Sequence, residues 1–122
     1  LEKLEALRFA HYLNIETGTV LVNDHELVPG SVPNAESIYP RETIDFLKSK
    51  GMRVVALPAS QTARDLGDAR MANVVMLGAL STLLPIEQEV WEKTLKLRIP
   101  AKYLDGNLKA FESGYDAMQK AI

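Results

Sequence analysis

Two short runs of aliphatic residues, Thr19-Val20-Leu21-Val22 and Arg53-Val54-Val55-Ala56-Leu57, set the tightest limit on how this chain can fold. Each is a nearly continuous apolar segment of strand length, the pattern of strands buried on both faces of a parallel sheet. Between them Arg41–Lys50 reads as a helix: Glu42 and Asp45 lie early, Lys48 and Lys50 fill the last turn, and Gly51 follows as the C′ residue. Strand, helix, strand with short joints is a βαβ unit, so the two strands are predicted to be parallel with a right-handed crossover. Ahead of the helix, Val28–Pro40 carries Pro29, Pro33 and Pro40 with Gly30, Ser31 and Asn34, and is predicted to be a loop.

The rest of the chain reads as helices. Leu1–Leu13 places Leu4, Leu7 and His11 on one face with no capping residue ahead of Leu1, so the chain is expected to begin inside a longer protein. Ser60 or Thr62 is expected to cap a short helix through Leu66 that ends at Gly67. Asp68 then caps Ala69–Leu84, which is apolar nearly all round and therefore central to the core. Pro85 opens a helix with Glu87 and Glu89 in its first turn and Lys93, Lys96 and Arg98 in its last, and Pro100 ends it. In the final helix, Lys102–Ala121, Leu104, Leu108, Phe111, Tyr115 and Met118 form an apolar stripe. Beside it run Ala110, Gly114, Ala117 and Ala121, small enough to admit a second backbone. A two-stranded sheet is meagre for so many helices. The residues alone point to a single α/β domain over 1–122, the second half of a larger doubly wound fold.

Composition removes several function classes. With 0 cysteines the chain has no disulfide, no catalytic thiol, and no thiolate for zinc or an iron–sulfur cluster. A formal net charge of -2 gives no electrostatic footprint for nucleic acid, and Trp91 and Tyr103 are single aromatics without a basic setting. The start of the chain lacks the apolar core of a signal peptide, and Met71–Leu84 is too short and polar to cross a bilayer. Neither a nucleic-acid nor a membrane partner is expected, and the absence of cysteine fits a reducing cytoplasm.

Candidate chemistry is sparse. Asp24-His25-Glu26 lies beyond the first strand, where open α/β sheets hold their ligands. Neighbours in extended chain point opposite ways, so a solvated loop is expected there and no metal site. Pro58-Ala59-Ser60-Gln61-Thr62 follows the second strand, and the N–H groups of a helix start can hold a phosphate. Ser60, Thr62 and Asn73 are therefore the candidate cofactor-binding residues, with an ordinary N-cap as the plainer reading. His11 is expected at the core edge. Asn73 and Asn107 are expected to bond a nearby backbone or to touch a ligand, because an unpaired buried amide costs about 1–3 kcal/mol. No GxGxxG, Walker sequence or Ser–His–Asp order is present, and no catalytic residue is assigned. The residues alone describe a catalytically silent α/β half-domain.

Three stretches carry a resemblance. Ala63-Arg64-Asp65-Leu66-Gly67-Asp68, Ala72-Asn73-Val74-Val75-Met76-Leu77-Gly78-Ala79-Leu80 and Asn107-Leu108-Lys109-Ala110-Phe111-Glu112-Ser113-Gly114 follow one another in the order seen in the gamma domain of 2-oxoacid:ferredoxin oxidoreductases. Leu80-Ser81-Thr82-Leu83-Leu84-Pro85, and Tyr39-Pro40 before a helix, resemble most the beta subunit of indolepyruvate ferredoxin oxidoreductase. The resemblance implies a Rossmann-like, three-layer fold with parallel strands, here its C-terminal portion without the family's glycine-rich N-terminal βαβ unit. It implies a subunit, without the catalytic centre, of a complex that decarboxylates a 2-oxoacid to an acyl-CoA and passes electrons to ferredoxin. Thiamine diphosphate and iron–sulfur clusters would sit on an alpha-type catalytic partner, and coenzyme A would be a co-substrate. A stand-alone nucleotide- or CoA-binding module, or a pure interaction domain, is the alternative.

Overall fold

The computed structural model describes residues 1–25, 33 and 42–121. Within the Val28–Pro40 stretch only Pro33 is among them, in a turn, and Glu26 also lies outside the described residues. The chain divides into two compact units, Leu1–Leu57 and Pro58–Ile122.

The first unit holds the βαβ element. Strands β1 (Thr19–Asn23) and β2 (Arg53–Leu57) pair in parallel, from Thr19 opposite Arg53 to Asn23 opposite Leu57. Helices α1 (Lys3–Phe9) and α2 (Thr43–Ser49) complete the unit. Its core joins Ala6 of α1, Val20 and Val22 of β1 and Leu47 of α2, with Val54 and Ala56 packed against them. The strands are less buried than predicted. Val20 and Val22 are buried, but Leu21 and Val55, which face each other across the register on the opposite side, are only half-buried. Continuous apolarity here marks a half-covered sheet rather than a fully enclosed one.

Two expectations for the first helix are corrected. It is capped: Glu2 sits in extended conformation and its carboxylate accepts the Glu5 N–H at 2.7 Å. His11 is exposed rather than at the core edge, its ring tilted against Tyr12 with centroids 4.1 Å apart. The reason is a change of helical pitch. After Phe9 the chain tightens into a 3₁₀ turn, Ala10–Tyr12, whose three residues per turn carry His11 off the face that α spacing assigned to it. Helix α2 ends as the sequence requires. Gly51, at φ 85°, donates to the Lys48 carbonyl at 3.0 Å, while Met52 N–H reaches Leu47 O at 3.3 Å, the paired bonds of a Schellman ending.

In the second unit α3 (Ala59–Asp65) closes by the same device. Gly67, at φ 108°, donates to Arg64 O at 2.9 Å and Asp68 N–H to Ala63 O at 3.1 Å. Its start differs from expectation, because Pro58 occupies the N-cap and neither Ser60 nor Thr62 caps the helix. The Thr62 hydroxyl instead donates back to the Pro58 carbonyl at 3.0 Å, an i to i−4 bond that a residue inside the first turn can make and a cap cannot. Asp68 does cap: its carboxylate accepts the Arg70 N–H at 2.9 Å and pairs with the Arg70 guanidinium at 2.9 Å. One 3₁₀ turn, Ala69–Met71, leads into α4 (Ala72–Ser81). α4 ends before the predicted Leu84. Thr82 N–H and hydroxyl both donate to Ala79 O, at 3.2 and 2.8 Å, tightening the chain ahead of Pro85. α5 (Gln88–Arg98) starts past Pro85 with Glu87 as an extended N-cap residue, so Glu87 stands outside the first turn. α6 (Ala101–Ala121) follows after Ile99 and Pro100.

The core of this unit is the crossing of α4 and α6. Ala59, Ala63, Met71, Val75 and Ala110 form one buried cluster, and Phe111 and Met118 are buried beside it. At the crossing a glycine of each helix faces the backbone of the other. A Cβ on Gly78 would fall on the Phe111 carbonyl, and one on Gly114 would fall on the Val75 carbonyl. The small-residue row of the last helix thus packs internally at Ala110 and Gly114, and leaves the core by Ala121, which is exposed. Asn73 lies on the solvent side of α4, so its amide meets no burial cost; Asn107 donates to the Tyr103 carbonyl at 2.8 Å, within its own helix.

The two kinds of glycine should separate cleanly in urea denaturation. Gly114→Ala meets a carbonyl directly and is expected to cost about 3 kcal/mol, the upper end of the overpacking range. Gly67→Ala meets no atom within 4 Å and should cost only the left-handed backbone penalty of about 1 kcal/mol. Equal losses would contradict the packing argument. A third variant tests the Asp68 cap. Hydrogen bonds from the Arg70 side chain and backbone hold the Asp68 carboxyl below its ordinary value. A lowered folded-state pKa adds stability above the usual aspartate range and loses it as pH falls through the folded value. Asp68→Asn keeps an acceptor but no charge, so its deficit at pH 7 is expected to vanish on acidification; a deficit that persists would sink this reading.

Candidate functional site

The carboxyl end of the sheet is the natural starting point, since ligands of α/β sheets gather there. The Asp24 N–H continues the ladder, donating to Leu57 O at 2.8 Å, and its carboxylate pairs with the Lys3 ammonium at 2.9 Å. The His25 N–H turns back to Asn23 O at 2.7 Å. This ties Asp24 to α1 rather than to a shared ligand centre. Among the described residues no three histidine or acidic side chains converge to hold a metal ion.

The sequence-derived candidates Ser60, Thr62 and Asn73 are all in the second unit. Ser60 and Thr62 lie two residues apart in α3, a spacing that sends side chains to different sides of a helix. Ser60 is half-buried and Thr62 has its hydroxyl proton committed to Pro58, while Asn73 projects from the exposed side of α4. α3 itself has only seven residues and no side-chain cap. These groups offer single polar contacts rather than an assembled pocket.

A concavity that no motif announced lies between α5 and α6. Along α5, Gln88, Glu92 and Lys96 recur every fourth residue and form one wall; Leu108, Phe111 and Tyr115 of α6 form the floor, with Glu112 and Asp116 at its rim. The groove encloses about 450 Å³, within the range of small-ligand sites, but it is open along its length. Its three carboxylates outnumber its one ammonium. Trp91 stands beside it, its ring 5.9 Å from that of Phe111, and its buried indole N–H has no hydrogen-bond partner among the described residues. The four-residue recurrence on α5 was readable in the sequence. Its pairing with the far end of α6 was not, because that depends on how the helical hairpin closes. Nothing here joins a nucleophile to a base, and none of the described helices is long and apolar enough to cross a membrane.

Known proteins give this architecture a family. Residues 1–117 match the family described as pyruvate ferredoxin/flavodoxin oxidoreductase. The chain is 31% identical over 128 residues to the indolepyruvate oxidoreductase subunit IorB of Thermococcus kodakarensis, covering 99% of this chain and 62% of that protein. It is 35% identical over 120 residues to the IorB of Archaeoglobus fulgidus, covering 95% of this chain and 59% of that one. The chain therefore spans about three-fifths of the length of these curated relatives. Among solved structures, a keto/oxoacid ferredoxin oxidoreductase gamma subunit from Geobacter sulfurreducens superposes with a TM-score of 0.68 at 26% identity, over 93% of this chain and 58% of that one. With the family's match running over residues 1–117, this chain belongs to the pyruvate ferredoxin/flavodoxin oxidoreductase family.

Proposed function

We propose that the chain is the C-terminal part of the gamma-type domain, in the subunit without the catalytic centre, of a cytoplasmic 2-oxoacid ferredoxin oxidoreductase with an arylpyruvate such as indolepyruvate as substrate. The observation that carries this is the family match over residues 1–117, reinforced by relatives that are themselves named as indolepyruvate oxidoreductase subunits. The overall reaction joins a 2-oxoacid anion and the thiol of coenzyme A. The bond between the carboxylate and the oxo carbon breaks to release CO₂, a thioester forms, and one proton and two electrons leave, the electrons going singly to two ferredoxins.

This chain's own residues do not fit the reaction's cofactors. It has 0 cysteines to bind an iron–sulfur cluster, and its groove turns three carboxylates toward any incoming diphosphate. By the family resemblance, thiamine diphosphate, which would supply carbanion stabilisation, and the clusters would be held by an alpha-type catalytic partner. The contribution left to this chain is to dock on that partner and shape access to it. For coenzyme A the candidate contacts are Ser60, Thr62 and Asn73, of which Asn73 is exposed on α4.

The test is reconstitution. The full-length subunit co-expressed with its larger partner should reduce viologen or ferredoxin when given indolepyruvate and coenzyme A, and lose that activity without either protein. In the same assay Ser60→Ala with Asn73→Ala should raise KM for coenzyme A about tenfold with kcat unchanged, the effect of losing two contacts. No activity with any 2-oxoacid would defeat the reading. Coenzyme A bound by the isolated chain, with no turnover in the complex, would favour a free-standing binding module.

A further inference from the structure

A strand at the rim of a sheet turns a row of N–H and C=O groups to water, and natural rims are protected by charge, proline or a bulge. The rim of β1 away from β2 carries no charged residue and no proline in Thr19-Val20-Leu21-Val22-Asn23. The alternation of a parallel ladder assigns its backbone groups. Asp24 N–H reaches Leu57 O on β2, so Val20 and Val22 turn their N–H groups the same way. Thr19, Leu21 and Asn23 turn theirs outward.

That outer rim is already engaged at one end. The Leu1 nitrogen donates to the Leu21 carbonyl at 3.1 Å, and the Asn23 N–H donates to the Leu1 carbonyl at 2.7 Å. Glu2 and Asn23 form a parallel bridge. One residue bonded to alternate residues of its neighbour is the repeating element of a parallel ladder, and here it sets Leu1 opposite Val22. One repeat earlier, the Leu21 N–H and the Thr19 carbonyl have no hydrogen-bond partner among the described residues.

The side on which the helices lie is a second, independent sign of the same order. Parallel strands are joined almost always by right-handed crossovers. Strands added one after another in a single direction then place their helices on one face, and a reversal of direction sends the next helix to the other. Ala6 of α1 and Leu47 of α2 both pack on Val20 and Val22, one face of β1. α1 thus lies where the crossover from a strand beside β1, on the side away from β2, would put it.

We infer that the outer rim of β1 is covered by the segment ahead of Leu1 in the full-length protein, which forms a third parallel strand in the register that Leu1 opens, with α1 as its crossover helix. The residue two ahead of Leu1 gives its N–H to the Thr19 carbonyl and accepts the Leu21 N–H. The inference rests on the proposed function for there being such a segment, the chain spanning about three-fifths of its curated relatives; the rim, direction and register come from the bonds of Leu1. It bears on where ligands bind. Open α/β sheets form their crevice where the direction of winding reverses. With α1 and α2 on one face and the strand order running on through β1, no reversal falls there. The sheet end at Asp24 and His25 is therefore no crevice, in accord with the ion pair that ties Asp24 to Lys3.

Single amides of the full-length subunit, followed by NMR, provide the test. The Leu21 amide should exchange within about tenfold of the Val22 amide, which faces β2. It should also show a through-hydrogen-bond coupling to the carbonyl two residues ahead of Leu1. A Leu21 amide that exchanges more than about a hundredfold faster than Val22 would overturn the third strand. So would a coupling to any other part of the chain, or one seen only between differently labelled copies in a mixed sample. Turnover of a 2-oxoacid by the reconstituted complex, with the rim open, would sink this inference and leave the functional reading standing. A paired rim in a complex that turns over no 2-oxoacid would uphold the strand and defeat the functional reading.

Discussion

Close passage of two backbones, Gly78 against the Phe111 carbonyl and Gly114 against that of Val75, is the constraint from which the second unit follows. Helices that approach this closely bring their main chains within dispersion range, and they leave room at the crossing for small side chains only. That is why Ala79 of α4 and Ala110 of α6 are fully buried, with the larger Phe111 and Met118 of α6 buried beside them. It also explains why α4 can be apolar nearly all round without being wholly enclosed: its tightest face is spent on α6, and Asn73 and Leu80 look outward.

The first unit solves a different problem. A two-stranded parallel sheet has little area, so its single well-covered face does most of the stabilising, with Ala6 and Leu47 closing over Val20 and Val22. Helix ends are handled alike in both units, by a left-handed glycine that lets two successive N–H groups turn back onto the last turn. With Glu2 and Asp68 accepting N–H groups at the starts of their helices, several boundaries are fixed by hydrogen bonds between residues close in sequence.

Such short-range signals are what a sequence displays, and the elements that depend on them were readable: both strands, the glycine endings, the Asp68 cap and the small-residue row around Gly114. Misreadings arose where geometry departs from ideal spacing. A 3₁₀ turn rotates His11 away from its assigned face, and Pro58 takes the cap that Ser60 or Thr62 was expected to fill. Apolar continuity overstated the burial of Leu21 and Val55, because a run of valines reports hydrophobicity and not how many layers cover it. The α5–α6 groove was illegible because its walls lie up to twenty-eight residues apart in sequence, Gln88 to Asp116, and meet only through the closing of the hairpin.

A contact between a glycine Cα and a carbonyl contains no rotatable bond. Most packed helices can shift by a fraction of an ångström while side chains change rotamer around them. α4 and α6 lack that cushion where they cross, since sliding either helix by one residue would drive a Cβ into a peptide oxygen. The pair therefore has a single register, set by two backbones rather than by the rotamers of the side chains along the twenty-one-residue α6.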